Sequence, residues 1–420
     1  MPDTLDIRPG EQVALVGDNA SGKSRLAAVI AGRMGAKYIT FRDSYSSYGD
    51  RNFFMQQRWN LFTLEGDPPS AGEALHQEAA ESKDPVAAEQ RLEELISLFS
   101  MEHLLDKPLV TLSSGELRKY QLTRALLGGP RILVVDNPYI GLDPRTRALL
   151  TDLLAALSAS MTLMLVLSRA AEIPPFITHV IPVADGVAGE KVLREDYLDS
   201  VLPPAVIRLR NVTIRYGERV ILNSLNLTVR QGEHWALTGA NGSGKSTLLS
   251  LICADNPQAY AHDIELFGRP RGSGETIWDI KRQIGFVSPE LHRAFRLDAP
   301  ALDIVTSGHF DTEGLFRRPS AEQRDIALRW MEEFGIADLA ERPFLRLSSG
   351  EQRLCLVARA FVKDPPLYIL DEPLQGLDET QRRRAKALLD KYCGAPGKTL
   401  LMVTHYPEEY PGCIDHSLSL

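Results

Sequence analysis

Short apolar runs, each closed by a glycine, an aspartate or a small polar residue, mark the chain in two similar series. The first half carries QVALVG, RILVVD and LMLVL, and the second HWALTG, LYILD and LLMVTH. Runs of this length without strict polar alternation predict strands buried on both faces, as in a parallel sheet. Between them the apolar positions follow the helical period. In PVAAEQRLEELISLF, Leu92, Leu95, Ile96 and Phe99 fall on one face. Strands alternating with helices predict an α/β fold whose mainly parallel sheet is covered on both sides.

The two series belong to a longer internal repeat. GEQVALVGDNASGKS, from Gly10, returns as GEHWALTGANGSGKST, from Gly232. LSSGELRK (from Leu112) returns as LSSGEQRL (from Leu347), and RILVVDNPYIGLD (from Arg131) as PLYILDEPLQGLD (from Pro366). The repeat predicts two homologous domains, 1–189 and 205–420. The stretch 190–204, which ends in Leu-Pro-Pro, reads as a tether. From Gly17 to Gly239 the offset is 222, and from Leu112 to Leu347 it is 235, so the second copy gains about 13 residues in connecting structure.

Composition narrows the class. A chain of 420 residues with 44% apolar content is long enough for two or three ordinary cores. The formal charge of -8 argues against a broad nucleic-acid surface. Cys253, Cys355, Cys393 and Cys413 have neither metal-ligand spacing nor the density of a disulfide scaffold, which fits a reducing compartment. No apolar run is long enough to cross a bilayer, and the first residues lack a signal pattern. A cytoplasmic location is expected, with any membrane link made through a partner.

The chemistry starts in the two glycine-rich loops. GDNASGKS and GANGSGKST match the phosphate-binding loop, and each follows an apolar run and opens a helical segment. Gly17, Asn19, Ser21 and Gly22 in the first loop, and Gly239, Asn241, Gly242, Ser243 and Gly244 in the second, would turn backbone N–H groups toward phosphates at a helix N-terminus. Lys23 and Lys245 would neutralise phosphate charge. Ser24 and Ser246 would reach Mg²⁺ through their hydroxyls, with Thr247 beside them.

LSSGE alone would be an ordinary helix cap, with a capping hydroxyl and free N–H donors. Its repetition in register with the phosphate loops is more specific. With both motifs, an apolar strand ending in aspartate and a following GLD in each half, the chain resembles the ABC ATPase family.

That resemblance implies two P-loop NTPase domains of ABC type, each with a helical subdomain, and ATP and Mg²⁺ as cofactors. It implies head-to-tail pairing, with Ser114, Gly115 and Glu116 completing the second loop and Ser349, Gly350 and Glu351 the first. Asp136 and Asp371 match the metal-associated aspartate, and Glu372 and His405, with Lys245, the hydrolytic machinery. Asn137 and Ser168 stand at the corresponding places in the first half, which therefore reads as degenerate. Tyr216 matches the adenine-stacking aromatic. Its first-half counterpart would precede residue 1, so that domain reads as short at its start. Gln57, or else Gln56, matches a metal-contacting glutamine, for which the second half offers Glu290.

Partners implied by the resemblance are transmembrane transporter subunits. Among tandem members the overall character is most similar to a group associated with molybdate transport. The alternative is a soluble ATPase acting on ribosome or DNA. The translation-factor branch has a long charged linker and the DNA-repair branch long coiled coils; neither pattern occurs here. A pure nucleotide-sensing scaffold would leave Glu372 and His405 unused.

Overall fold

The apolar runs fold as strands because apolar partners wait on both sides of them. In the computed structural model, which describes residues 7–8, 10–41, 69–296 and 298–420, Val13 and Leu15 pack on Leu26, Ala27 and Ile30 of the helix Lys23–Met34. Ala14 and Val16 turn to the opposite face and meet a core that includes Leu75, Leu92, Leu122 and Leu154. Each large side chain so buried contributes roughly 1.5–3 kcal/mol relative to exposure. Leu92, Leu95 and Phe99 of the predicted helical face are buried, and Ile96 packs against the same core. The chain divides into two units, Met1–Leu202 and Pro203–Leu420.

The first unit's sheet contains β1 (Val13–Val16), β2 (Lys37–Thr40), β3 (Ile132–Asp136), β4 (Thr162–Leu167), β5 (His179–Ala184) and β6 (Val187–Ala188), in the order β2-β3-β4-β1-β5-β6. Strands β1 to β5 are parallel, while β6 runs antiparallel to β5. The helices Ala71–Ala80, Pro85–Leu98 and Ser114–Leu126 pack on one another as a helical subdomain.

The expected tether is structured. Within 190–204, β7 (Val192–Leu193) pairs antiparallel with β5, and the helix Arg194–Val201 buries Leu198 in the first unit's core. Tyr197 and Leu202 pack beside it, and Lys191 Nζ donates to Glu11 Oε2 at 2.7 Å. Apolar packing, the Lys191–Glu11 ion pair and the Arg194 N–H bond to Thr178 O at 2.9 Å hold this stretch to the first unit.

The second unit contains β8 (Ala205–Tyr216), β9 (Arg219–Arg230), β10 (His234–Thr238), β11 (Asp263–Leu266), β12 (Arg269–Pro270), β13 (Ile284–Val287), β14 (Leu367–Asp371), β15 (Thr399–Val403) and β16 (His416–Ser419). The order β13-β14-β15-β10-β16 repeats β2-β3-β4-β1-β5, and all its pairs are parallel. A second, antiparallel sheet, β12-β11-β8-β9, has no counterpart among the described residues of the first unit. Some of the extra chain in the second copy lies here. Gly35 and Ala36 link the first loop helix directly to β2, whereas the corresponding link in the second unit carries β11 and β12. The helices Ala301–Thr306, Ala321–Phe334 and Ser349–Phe361 form the second helical subdomain.

Register makes the two units comparable residue by residue. Asp136 pairs with Val166 and Asp371 with Val403, so Ser168 and His405 both lie two residues beyond the aspartate's partner. Tyr38 pairs with Val134 and Phe286 with Ile369, each two residues before the aspartate.

Candidate functional site

In the second unit β10 ends at Thr238, and the helix Lys245–Ile252 opens after the loop 239–244. Gly244 caps that helix with φ 108°, and a Cβ there would lie 2.8 Å from Leu222 Cδ2. Both the left-handed backbone and the close strand require glycine. The Lys245 ammonium donates to the carbonyls of Gly239 at 2.7 Å and Ala240 at 3.0 Å. Ser243 Oγ is buried without a hydrogen-bond partner, an orphan polar atom inside a loop of N–H donors. Such a cradle suits phosphate oxygens.

A cleft of about 330 Å³ brings Lys245, Ser246, Glu290, Asp371, Glu372 and His405 together, with Tyr216 on its wall. Tyr216 is half exposed, and its hydroxyl accepts from Asn256 Nδ2 at 3.0 Å. His405 Nε2 lies 3.4 Å from Glu372 Oε1. Burial raises the Glu372 carboxyl above its ordinary value, against the pull of His405. Burial, with the charges of Glu290 and Glu372, pushes Asp371 up to about 6. The hydroxyl and carboxylate oxygens of Ser246, Asp371 and Glu290 fit a hard divalent cation. None of Ser349, Gly350 and Glu351 lines this cleft.

The first unit keeps the backbone and changes the side chains. Lys23 is buried, and its ammonium donates to Asp18 O at 2.9 Å. Ala20 holds φ 68° where Gly242 holds 79°, so the loop shape persists without the second glycine. Ser21 Oγ is an orphan like Ser243 Oγ. Asp136 is buried with both oxygens engaged: Oδ2 accepts from the Tyr38 hydroxyl at 2.7 Å and Oδ1 from Asn137 Nδ2 at 3.0 Å. Ser168 Oγ donates to Asn19 Oδ1 at 3.1 Å. The expected metal pair of Ser24 and Asp136 thus meets an aspartate already supplied with two donors. Gln57 and Gln56 lie outside the described residues.

The LSSGE segments are helix N-termini with complete capping boxes. Ser113 Oγ accepts from Glu116 N and Ser113 N donates to Glu116 Oε2; Ser348 and Glu351 repeat the pattern. The Glu116 and Glu351 carboxylates therefore serve their own helices, and the preceding serines are the caps. Partial burial pushes Glu116 up, but Lys107 at 2.8 Å and the Ser113 donors outweigh it and hold the carboxyl at about 2. Gly115 and Gly350 are closely packed, since a Cβ would meet Thr146 Cγ2 or Gly376 O at 2.9 Å.

Two residues near the sites carry no motif of their own. Arg353 is buried with Nε and Nη1 lacking hydrogen-bond partners, and its charge acts on Asp371 and Glu372. Its position two residues after LSSGE, matched by Arg118, was the available signal. Tyr38 has none, because only strand pairing brings it to Asp136.

The geometry defines a tandem pair of P-loop nucleotide-binding units. The family described as ABC transporter matches residues 2–140 and 222–375. The ABC transporter ATP-binding protein ModF of Escherichia coli (strain K12) is 37% identical over 451 aligned positions, covering 99% of this chain and 92% of that protein. An uncharacterized ABC transporter ATP-binding protein of Schizosaccharomyces pombe is 33% identical over 353, covering 78% and 72%. Among solved structures, a dimeric ATP-binding cassette in a post-hydrolysis state with ADP and Pi is 28% identical, covering 51% of this chain and 94% of that chain, with a TM-score of 0.45. The chain belongs to the ABC transporter ATP-binding family and is an ABC-type ATPase.

Proposed function

We propose that the second unit hydrolyses ATP while the first holds nucleotide, and that the cycle energises a membrane transporter through partner subunits. One observation carries the asymmetry: at matched backbone positions the second unit has Glu372 and His405, and the first has Asn137 and Ser168. A carboxylate accepts a proton from water, and an amide cannot.

In the second cleft, Lys245 and the loop N–H groups bind and orient the phosphates. Ser246, Asp371 and Glu290 would hold Mg²⁺, which when bound draws charge from the phosphate oxygens. Glu372 takes a proton from the attacking water, and burial brings its carboxyl nearer to working pH. His405 orients the carboxylate from 3.4 Å. The water oxygen forms the new bond to the terminal phosphorus as the bond to ADP breaks. Arg353 offsets the paired carboxylates from the buried side.

Closure over this cleft falls to Ser114 and Gly115 of the first unit, and Ser349 and Gly350 serve the first loop in turn. No helix among the described residues is long and apolar enough to cross a membrane. The transport reading follows the relatives' names and places the chain at the cytoplasmic face through a partner. Molybdate rests on the resemblance alone.

The test compares ATP turnover in the full chain. Glu372→Gln should nearly abolish turnover with binding retained, and Asn137→Ala should leave it within about twofold. Equal losses would overturn the asymmetry. For transport, the tagged chain should co-purify with a membrane subunit from detergent extracts. Co-sedimentation with ribosomes or DNA in its place would sink that reading.

A further inference from the structure

Asp136 and Asp371 end equivalent strands but face opposite surroundings. Tyr38 and Asn137 give Asp136 one donor on each oxygen. Register puts Phe286 in the place of Tyr38 and Glu372 in the place of Asn137. Phe286 brings no donor, Glu372 brings a second negative charge, and Glu290 brings a third to the same cleft. Three acidic groups together are stabilised by a cation. A carboxylate with a donor on each oxygen is already partly compensated, so among the described residues Asp136 attracts a cation less strongly than the clustered acids of the second cleft.

The position of the phenol sharpens the contrast. The Tyr38 hydroxyl lies 2.7 Å from Asp136 Oδ2 and 3.5 Å from the Ser24 carbonyl oxygen. It is therefore within reach of both the strand-end aspartate and the first turn of the loop helix, which hold Asp136 and Ser24, the residues that would serve a cation. Lys23 and the orphan Ser21 hydroxyl remain in the loop to meet phosphate oxygens. Among the described residues, the first unit's loop fits a nucleotide, and Asp136 with its two donors is a poorer ligand for a divalent cation than Asp371.

We propose that the first site binds its nucleoside triphosphate without a divalent cation, with the Tyr38 hydroxyl in the cation's place, while the second site binds only with one. This rests on the reading of the first unit as a nucleotide holder. Tyr38 acts as a specificity-determining group, since it fixes which form of the nucleotide the site accepts: the free anion and not its metal complex.

The experiment is a stoichiometry. The full chain carrying Glu372→Gln, which keeps ATP intact, is saturated with ATP and Mn²⁺, and bound nucleotide and bound Mn²⁺ are counted, the metal by electron paramagnetic resonance. Two nucleotides and one Mn²⁺ per chain are expected; two Mn²⁺ would overturn the proposal. Single-site variants assign the count. Lys245→Ala should bind ATP in EDTA within about threefold of its affinity in Mg²⁺, whereas Lys23→Ala should lose about tenfold or more. Adding Tyr38→Phe to Lys245→Ala should raise the ratio of affinities in Mg²⁺ and EDTA to about tenfold, and an unchanged ratio would count against the phenol. Phe286→Tyr in the Lys23→Ala background should shift the ratio the other way, which separates the hydroxyl's effect from damage to the fold. If Lys245→Ala binds no ATP in either condition, the nucleotide-holding role itself fails and the proposal falls with it. Binding that vanishes only in EDTA overturns the proposal and leaves that role standing.

Discussion

Asn137 and Glu372 occupy one backbone position in two copies of the same turn. Each follows the strand-end aspartate, each N–H donates to the neighbouring strand's carbonyl, Val166 at 3.0 Å and Val403 at 2.9 Å, and their φ angles are 51° and 52°. Asparagine accepts the left-handed region more readily than glutamate does. The glutamate therefore carries a conformational cost, about 1 kcal/mol, that the asparagine does not. Glu372→Asn should abolish turnover, losing about 10²–10⁴-fold, while thermal stability holds or rises by about 1 kcal/mol. Calorimetry on the nucleotide-free chain checks it, and a clear loss of stability would show that the turn is not strained.

Asp371 carries a different cost. Its carboxyl, ordinarily near 3.8, is pushed up to about 6 by burial, Glu290 and Glu372. A carboxyl with a raised folded value is neutral below 3.8 in both states, and its ionisation penalises the fold increasingly as pH rises to 6. Asp371→Asn should therefore stabilise the nucleotide-free chain by about 3 kcal/mol at pH 8, with the gain shrinking as pH falls below 6. Urea unfolding in EDTA across that range is the measurement. A gain that persists at pH 4 would point to packing and not charge.

Glu116 shows the opposite sign. Lys107 and the Ser113 donors hold it at about 2, below its ordinary 4.5, so its contribution is present above 4.5 and is lost as pH falls toward 2. Glu116→Gln can keep the capping box but loses the ion pair. Its melting temperature should lie slightly below wild type at pH 7, and the two should converge in acid.

The head-to-tail pairing predicts an asymmetry between identical motifs. Ser114→Arg should lower ATP turnover about tenfold or more, and Ser349→Arg should leave it within about twofold, as the proposed closure of the first signature over the hydrolytic cleft requires. Equal effects would reject the pairing.

Much of this was legible in the sequence because the decisive signals are local. Strand runs need only their own residues, and the loop around Lys245 states its chemistry in eight consecutive positions. The rest depends on contacts between distant residues. Tyr38 reaches Asp136 across 98 positions, through a strand pairing that no local pattern announces. The 190–204 stretch reads as a tether because Val192, Leu193 and Leu198 are too few to form a periodic signal, and only pairing with the distant β5 makes Val192 and Leu193 a strand. Glu116 and Glu351 were grouped with the nucleotide contacts by motif, while their capping geometry appears only once the helix is built.

The shared register of the two sheets has a consequence for the chain's history. Strand order and pairing of the parallel sheet are kept while Phe286, Glu372 and His405 stand opposite Tyr38, Asn137 and Ser168, so at these places the two units differ by side chains on a shared parallel frame. On the proposed division of labour, three exchanges at matched strand ends are enough for one frame to hold its fuel while the other burns it.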